Sequence, residues 1–128
     1  MAALMMRAFG TRPWAVLAGI MLVTACFSMW MSNTATTAMM IILVQPFVDR
    51  MEKRDQFRKA LVLAVPFSAN IGGIGTPIGT PPNAIALAQL ELAGTHISFV
   101  AWMVFAVPLM LGALLFAYVL LLVLFRSN

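Results

Sequence analysis

Two polar interruptions sit inside otherwise apolar sequence, SNTAT at 32–36 and GGIGTPIGTPPN at 72–83. Hydrocarbon offers no partner to a free N–H or C=O. Non-helical backbone therefore persists at membrane depth only where protein packs around it or where it lines a polar cavity. The surroundings of both breaks are membrane-like. Hydrophobic residues make up 62% of the 128 and charged residues 9%, against about 25% charge in average soluble domains. An all-α integral membrane protein is expected, with the two breaks as halves of one solute-binding site.

Span lengths give the layout. The apolar run 13–31 is long enough to cross a hydrocarbon core of roughly 30 Å. The next run, 35–48, reaches only about 21 Å as a helix. Together they suit a re-entrant helical hairpin over 13–48 with the SNT segment at its tip. Residues 60–93 carry no charge before Glu91 and would form a rod of about 51 Å, too long for a bilayer. The Gly/Pro loop 72–83 divides them into a discontinuous transmembrane helix, with Thr80 and Pro81 as N-cap and first helical residue of its second half. A full transmembrane helix follows over 99–125, with Trp102 and Tyr118 as interface anchors.

Basic residues orient these spans. Arg7 and Arg12 lie in a lead-in at 1–12, and Arg50, Lys53, Arg54, Arg58 and Lys59 cluster in a loop at 49–59. Both belong in the cytoplasm by the positive-inside rule, which leaves 94–98 as an outer loop and Arg126 inside. The net charge of +4 is thus a matter of topology and not of nucleic-acid binding. One cysteine, Cys26, allows no internal disulfide.

The chemistry of the breaks follows from what they contain and lack. Each offers a helix C-terminus with free carbonyls and a helix N-terminus with free N–H groups. Discontinuous helices of secondary transporters use such ends to hold a coupling cation and an anionic substrate. No Asp, Glu, Lys, Arg or His occurs in 13–48 or in 60–90, so a proton relay at depth is disfavoured. Hydroxyls, amides and carbonyls remain, hard oxygens of the kind that bind alkali cations. Ser28 and Ser32 are four apart and expected on one helical face. With Asn33 and a glycine-loop carbonyl they can surround a sodium ion, while Thr34 and the Asn33 amide donate to an anion.

SMWMSNTATTAMM at 28–40 followed by NIGGIGTPIGTPPNAIAL at 70–87 resembles the divalent anion/sodium symporters, carriers of dicarboxylates, citrate or sulfate. The resemblance runs through nearly the whole chain. It implies a partial elevator-type transport domain in the bacterial inner (plasma) membrane, with Ser28, Ser32, Asn33 and Gly75 as sodium ligands and Asn33 and Thr34 against the substrate carboxylate. Gly75 rather than Gly73 is a choice of register. Members of that family contain two inverted repeats and form homodimers. Only one hairpin and its broken helix are present here, so a fragment, a truncated frame or a half that pairs with another chain is expected.

Other readings weigh less. Ser32, Asn33 and Thr34 can simply cap a helix, and 72–83 can be an extramembrane loop, though its flanks are too short to span separately. The loop lacks the lysine of a phosphate-binding Walker motif. Cys26 after an apolar run resembles a lipoprotein signal, but cleavage there would destroy the hairpin. His96 has no companion ligand, and Asp49, Glu52 and Asp55 alternate with basic residues as a solvated face or cytoplasmic cap. The eleven methionines are adaptable packing, and Gly19, Ala25, Gly112 and Ala113 permit close helix contacts. An oligomeric channel with a carbonyl filter is the rival function; no acid/base set at depth supports catalysis.

Overall fold

The computed structural model describes residues 12–125, which are helical with no strand among them. The expectations for Arg7, Arg126 and the lead-in before Arg12 lie outside the described residues. Five helices follow in order: α1 (Pro13–Ser28), α2 (Asn33–Asp49), α3 (Phe57–Gly72), α4 (Pro81–Leu92) and α5 (Phe99–Leu124), with a 3₁₀ turn at Gly73–Gly75.

The two elements expected to form the hairpin are α1 and α2, joined by residues 29–32. Helix α1 ends earlier than the apolar run, at Ser28, and closes in tight turns, with Trp30 N–H and Met31 N–H both donating to the Phe27 carbonyl. Helix α2 begins earlier than expected because Ser32 is extended and its hydroxyl accepts from Ala35 N–H at 3.2 Å. Helix α3 also starts early. The Asp55 carboxylate accepts the Phe57 N–H at 2.9 Å, satisfying one of the donors a helix start leaves open.

The break is present where the glycines and prolines put it. After α3 and its 3₁₀ turn, residues 76–80 leave the helix, and the Gly79 N–H donates to the Thr76 carbonyl at 3.2 Å. That is a β-turn with Pro77 at its second position, where fixed φ helps. Thr80 is extended and Pro81 opens α4, as expected, but the Thr80 side chain makes no capping bond.

Helix α3 is the hub. It packs most extensively on α1, then on α2 and α5. Leu17, Ile20 and Met21 of α1, Met40 and Val44 of α2, and Leu61, Ala64 and Val65 of α3 form the buried core, joined by Leu114 and Leu121 of α5. A Cβ on Gly72 would sit 2.5 Å from the Ala25 Cα, so α1 and α3 touch backbone to backbone there. Gly112 has open space around it. Helix α4 buries no residue within the described chain. Helix α5, with mean hydropathy 2.7, is the one described helix both long and apolar enough to cross a membrane.

Candidate functional site

Three helix ends meet in one hydrogen-bonded cluster. Ser28 closes α1, Asn33 opens α2, and Ala69 and Asn70 lie in the last turn of α3. The fully buried Ser28 hydroxyl lies 2.6 Å from Asn33 Oδ1 and 2.5 Å from the Ala69 carbonyl oxygen. A hydroxyl carries one hydrogen. One contact is therefore a donated hydrogen bond, and the other sets two acceptor oxygens together. In the observed amide orientation, Asn33 Nδ2 donates to Asn70 Oδ1 at 3.4 Å. Oxygen crowding of this kind, beside the negative ends of α1 and α3, suits a small cation.

The glycine loop lies against the same group. A Cβ on Gly73 would be 2.6 Å from Asn33 Oδ1, so only glycine lets the Asn33 amide lie on the loop. Asn83, in the first turn of α4, donates to the Gly73 and Thr76 carbonyls at 2.9 Å each. The Thr76 hydroxyl donates to the Met29 carbonyl, one of the acceptors the end of α1 leaves open. Trp102 Nε1 of α5 donates to the Ile74 carbonyl at 3.1 Å. The α-carbon of Gly75 faces the Met29 and Met110 side chains.

Beside the cluster is an open recess of about 350 Å³, lined by Asn33, Thr34, Thr37, Ala38 and Asn70. Apart from Ala38, every one of these side chains carries a neutral hydrogen-bonding group. Among the described residues no three His, Cys, Asp or Glu side chains gather as a metal site. Any charge on a ligand here must be met by helix ends or by a second ligand.

The structure thus brings Ser28 and Asn33 into contact and lines the recess with Asn33 and Thr34. Ser32 is engaged as the cap of α2, and it does not share a helical face with Ser28, because α1 ends at Ser28 before the turn. Asn70, Thr37, Asn83 and Trp102 were not expected at the site. Asn70 and Asn83 stand at the two ends of the glycine-loop motif, which was the available signal. The other two are visible only in three dimensions. Among the described residues, two fully buried hydroxyls, Thr36 Oγ1 and Ser68 Oγ, have no hydrogen-bond partner.

Comparison with known proteins gives a consistent set of matches. The sequence profile of the citrate transporter family (CitMHS) matches residues 1–128. The sodium-dependent high-affinity dicarboxylate transporter 3 of Caenorhabditis elegans is 37% identical over 88% of the chain and 23% of that protein. The low-affinity phosphate transporter PHO90 of Saccharomyces cerevisiae is 36% identical over 93% of the chain and 13% of its own length. The Na(+)/citrate cotransporter of Rattus norvegicus is 31% identical over 85% and 27%. The chain therefore spans about a quarter or less of the length of these relatives.

Proposed function

The chain belongs to the citrate transporter family, and from that premise we propose that it forms part of a sodium-coupled anion symporter with a dicarboxylate as its cargo. The observation that carries the proposal is the convergence of Ser28 Oγ, Asn33 Oδ1 and the Ala69 carbonyl beside a recess lined by Asn33 and Thr34. Sodium enters this cluster first, with Ser28, Asn33 and the Gly75 carbonyl as ligands. Ser32 holds the start of α2 in register and completes the ligand set once its cap relaxes.

Electrostatics decides the order of binding. A helix N-terminus is worth about 0.3–1 kcal/mol to an exposed anion. A unit charge 4 Å away contributes about 4 kcal/mol at an effective dielectric constant near 20. Sodium is thus the larger attraction by far, and its loss weakens the anion site on the order of a thousandfold. That difference is the coupling, since a ligand shifts an equilibrium only by its differential affinity for the two states.

In the complete transporter, α1 and α2 act as the re-entrant hairpin, the break after α3 faces its tip, and the loaded domain crosses the barrier by an elevator movement. A second repeat supplies the other half of the site, in a homodimer. Dicarboxylate is favoured by the Caenorhabditis relative's name; citrate and phosphate stand as alternatives from the other two.

The test is a chimera in which residues 12–125 replace the matching region of the Caenorhabditis transporter, assayed by labelled succinate uptake in oocytes. Sodium-dependent uptake is expected, with Asn33→Ala removing it and Ser32→Ala raising the sodium concentration needed. Uptake and sodium dependence unaltered in both variants would refute the site.

A further inference from the structure

The segment before α3 carries positive charge that the fold does not neutralise. Arg58 and Lys59 stand in the first turn of α3, a positive helix end with no acidic residue in that turn. Cations are disfavoured there. Asp55 accepts the Phe57 N–H with one carboxylate oxygen, while Asp49 accepts from Gln45 Nε2. Among the described residues the one ion pair is His96 with Glu91, so no Lys or Arg has an acidic partner. The buried Nε of Arg58 has no hydrogen-bond partner among the described residues.

These cations border a recess of about 520 Å³, lined by Lys53, Arg58 and Lys59, by the single carboxylate Asp55, and by the apolar Val48, Val62 and Leu63. Its chemistry is graded along α3. Val62 and Leu63 lie one turn beyond Arg58 and Lys59 on the same face, and Phe67 one turn further. They are 40%, 36% and 48% exposed. A charged rim thus continues into an uncovered apolar stripe about 8 Å long.

We infer that this recess binds an anionic phospholipid, with the headgroup phosphate against Lys53, Arg58 and Lys59 and one acyl chain along Val62, Leu63 and Phe67. A free inorganic anion would use the cations and leave the apolar wall uncovered. A zwitterionic lipid would bring its own cation against three others. The inference does not depend on sodium or dicarboxylate binding at the cluster described above, which involves other ends of the helices.

Each basic residue near an anionic lipid surface contributes about fivefold in affinity. Three, opposed by Asp55, give an expected preference of roughly tenfold or more. The chain is placed in phosphatidylcholine nanodiscs, and spin-labelled phosphatidylglycerol is compared with the matched phosphatidylcholine probe. Phosphatidylglycerol is expected to be held preferentially, less so as salt rises. The triple variant Lys53→Gln, Arg58→Gln, Lys59→Gln is expected to reduce the ratio towards one with helicity intact. If that variant unfolds, the salt titration of the native chain decides alone.

Millimolar inorganic phosphate is expected to leave the lipid probe bound, and Val62→Ser with Leu63→Ser to weaken it. Equal binding of the two probes, a preference insensitive to salt, a preference that survives in the folded triple variant, or displacement by inorganic phosphate would each overturn the inference.

Discussion

Asn83 holds two carbonyls with one side-chain amide, those of Gly73 and Thr76, and so ties the start of α4 to the glycine loop. Asn83→Ala takes one donor from the Gly73 carbonyl and one from the Thr76 carbonyl, which keeps the Gly79 N–H, at a cost of about 1–3 kcal/mol. Hydrogen exchange is expected to quicken across 76–80 and not in α1; equal exchange in both variants would locate the loop's rigidity elsewhere. Gly72 and Gly112 form a matched pair. Alanine at 72 meets the Ala25 backbone, which cannot swing aside, and overpacking of that kind costs about 1–3 kcal/mol. Alanine at 112 meets nothing within 4 Å and gains up to about 1 kcal/mol of helix propensity. Thermal unfolding in detergent should therefore fall for Gly72→Ala and hold or rise for Gly112→Ala. Ala25 was legible as a close-contact residue from its size, but Gly112 of the same description has no partner within the described chain. The nearness of Ser28 to Asn33 was legible because both were expected around one cation, Ser28 from the first arm and Asn33 from the tip. The shared helical face of Ser28 and Ser32 was not correct, since four-residue spacing has that meaning only while the helix continues. The partnership of Asn33 with Asn70 bridges 37 positions, and no local spacing encodes it.

Whole elements were easier to read than their ends. The broken helix could be anticipated because a straight rod over 60–93 overshoots a bilayer and because Pro77, Pro81 and Pro82 cannot continue the ladder. Element ends moved for local reasons, Asp55 extending α3 backwards and Ser32 doing the same for α2, while α1 closed early at Ser28. The role of α5 was only half visible. Trp102 reads from sequence as an interface anchor, yet its indole N–H reaches the Ile74 carbonyl and so braces the loop from a neighbouring helix. Trp102→Phe keeps an aromatic ring and removes that hydrogen bond, with an expected loss of about 1 kcal/mol. In the chimera it should weaken sodium-dependent uptake less than Asn33→Ala does; an equal loss would mean that Trp102 does more than brace. Near the opposite end of the same connection, Trp30 stacks on Phe99 at 6.2 Å between ring centres. Two aromatic contacts thus hold the start of α5 close to the end of α1 and to the glycine loop.

At the scale of the molecule, the surface is unlike that of a water-soluble protein. Phe105, Leu109, Leu115 and Phe116 of α5 and Ile85 and Leu92 of α4 are exposed, and the longest helix is little buried by its neighbours. Contiguous apolar surface of this extent requires lipid, detergent or more protein to cover it. The chain is expected to partition into the detergent phase of a temperature-induced separation; recovery in the aqueous phase as a monodisperse species would contradict a membrane setting. The fold class was legible from composition, whereas the mutual arrangement of α1, α2 and α3 was not, because apolar helices carry no stripe that says which neighbour each faces. Helix α4 stands apart from that packed trio, with no buried residue and its first turn gripped by one amide. It is about 18 Å long, and a push delivered at Leu92 would act on Gly73 and Thr76 as a crank acts on its axle. Whatever leans on that far tip in the assembled protein gains a mechanical handle on the glycine loop without ever touching it.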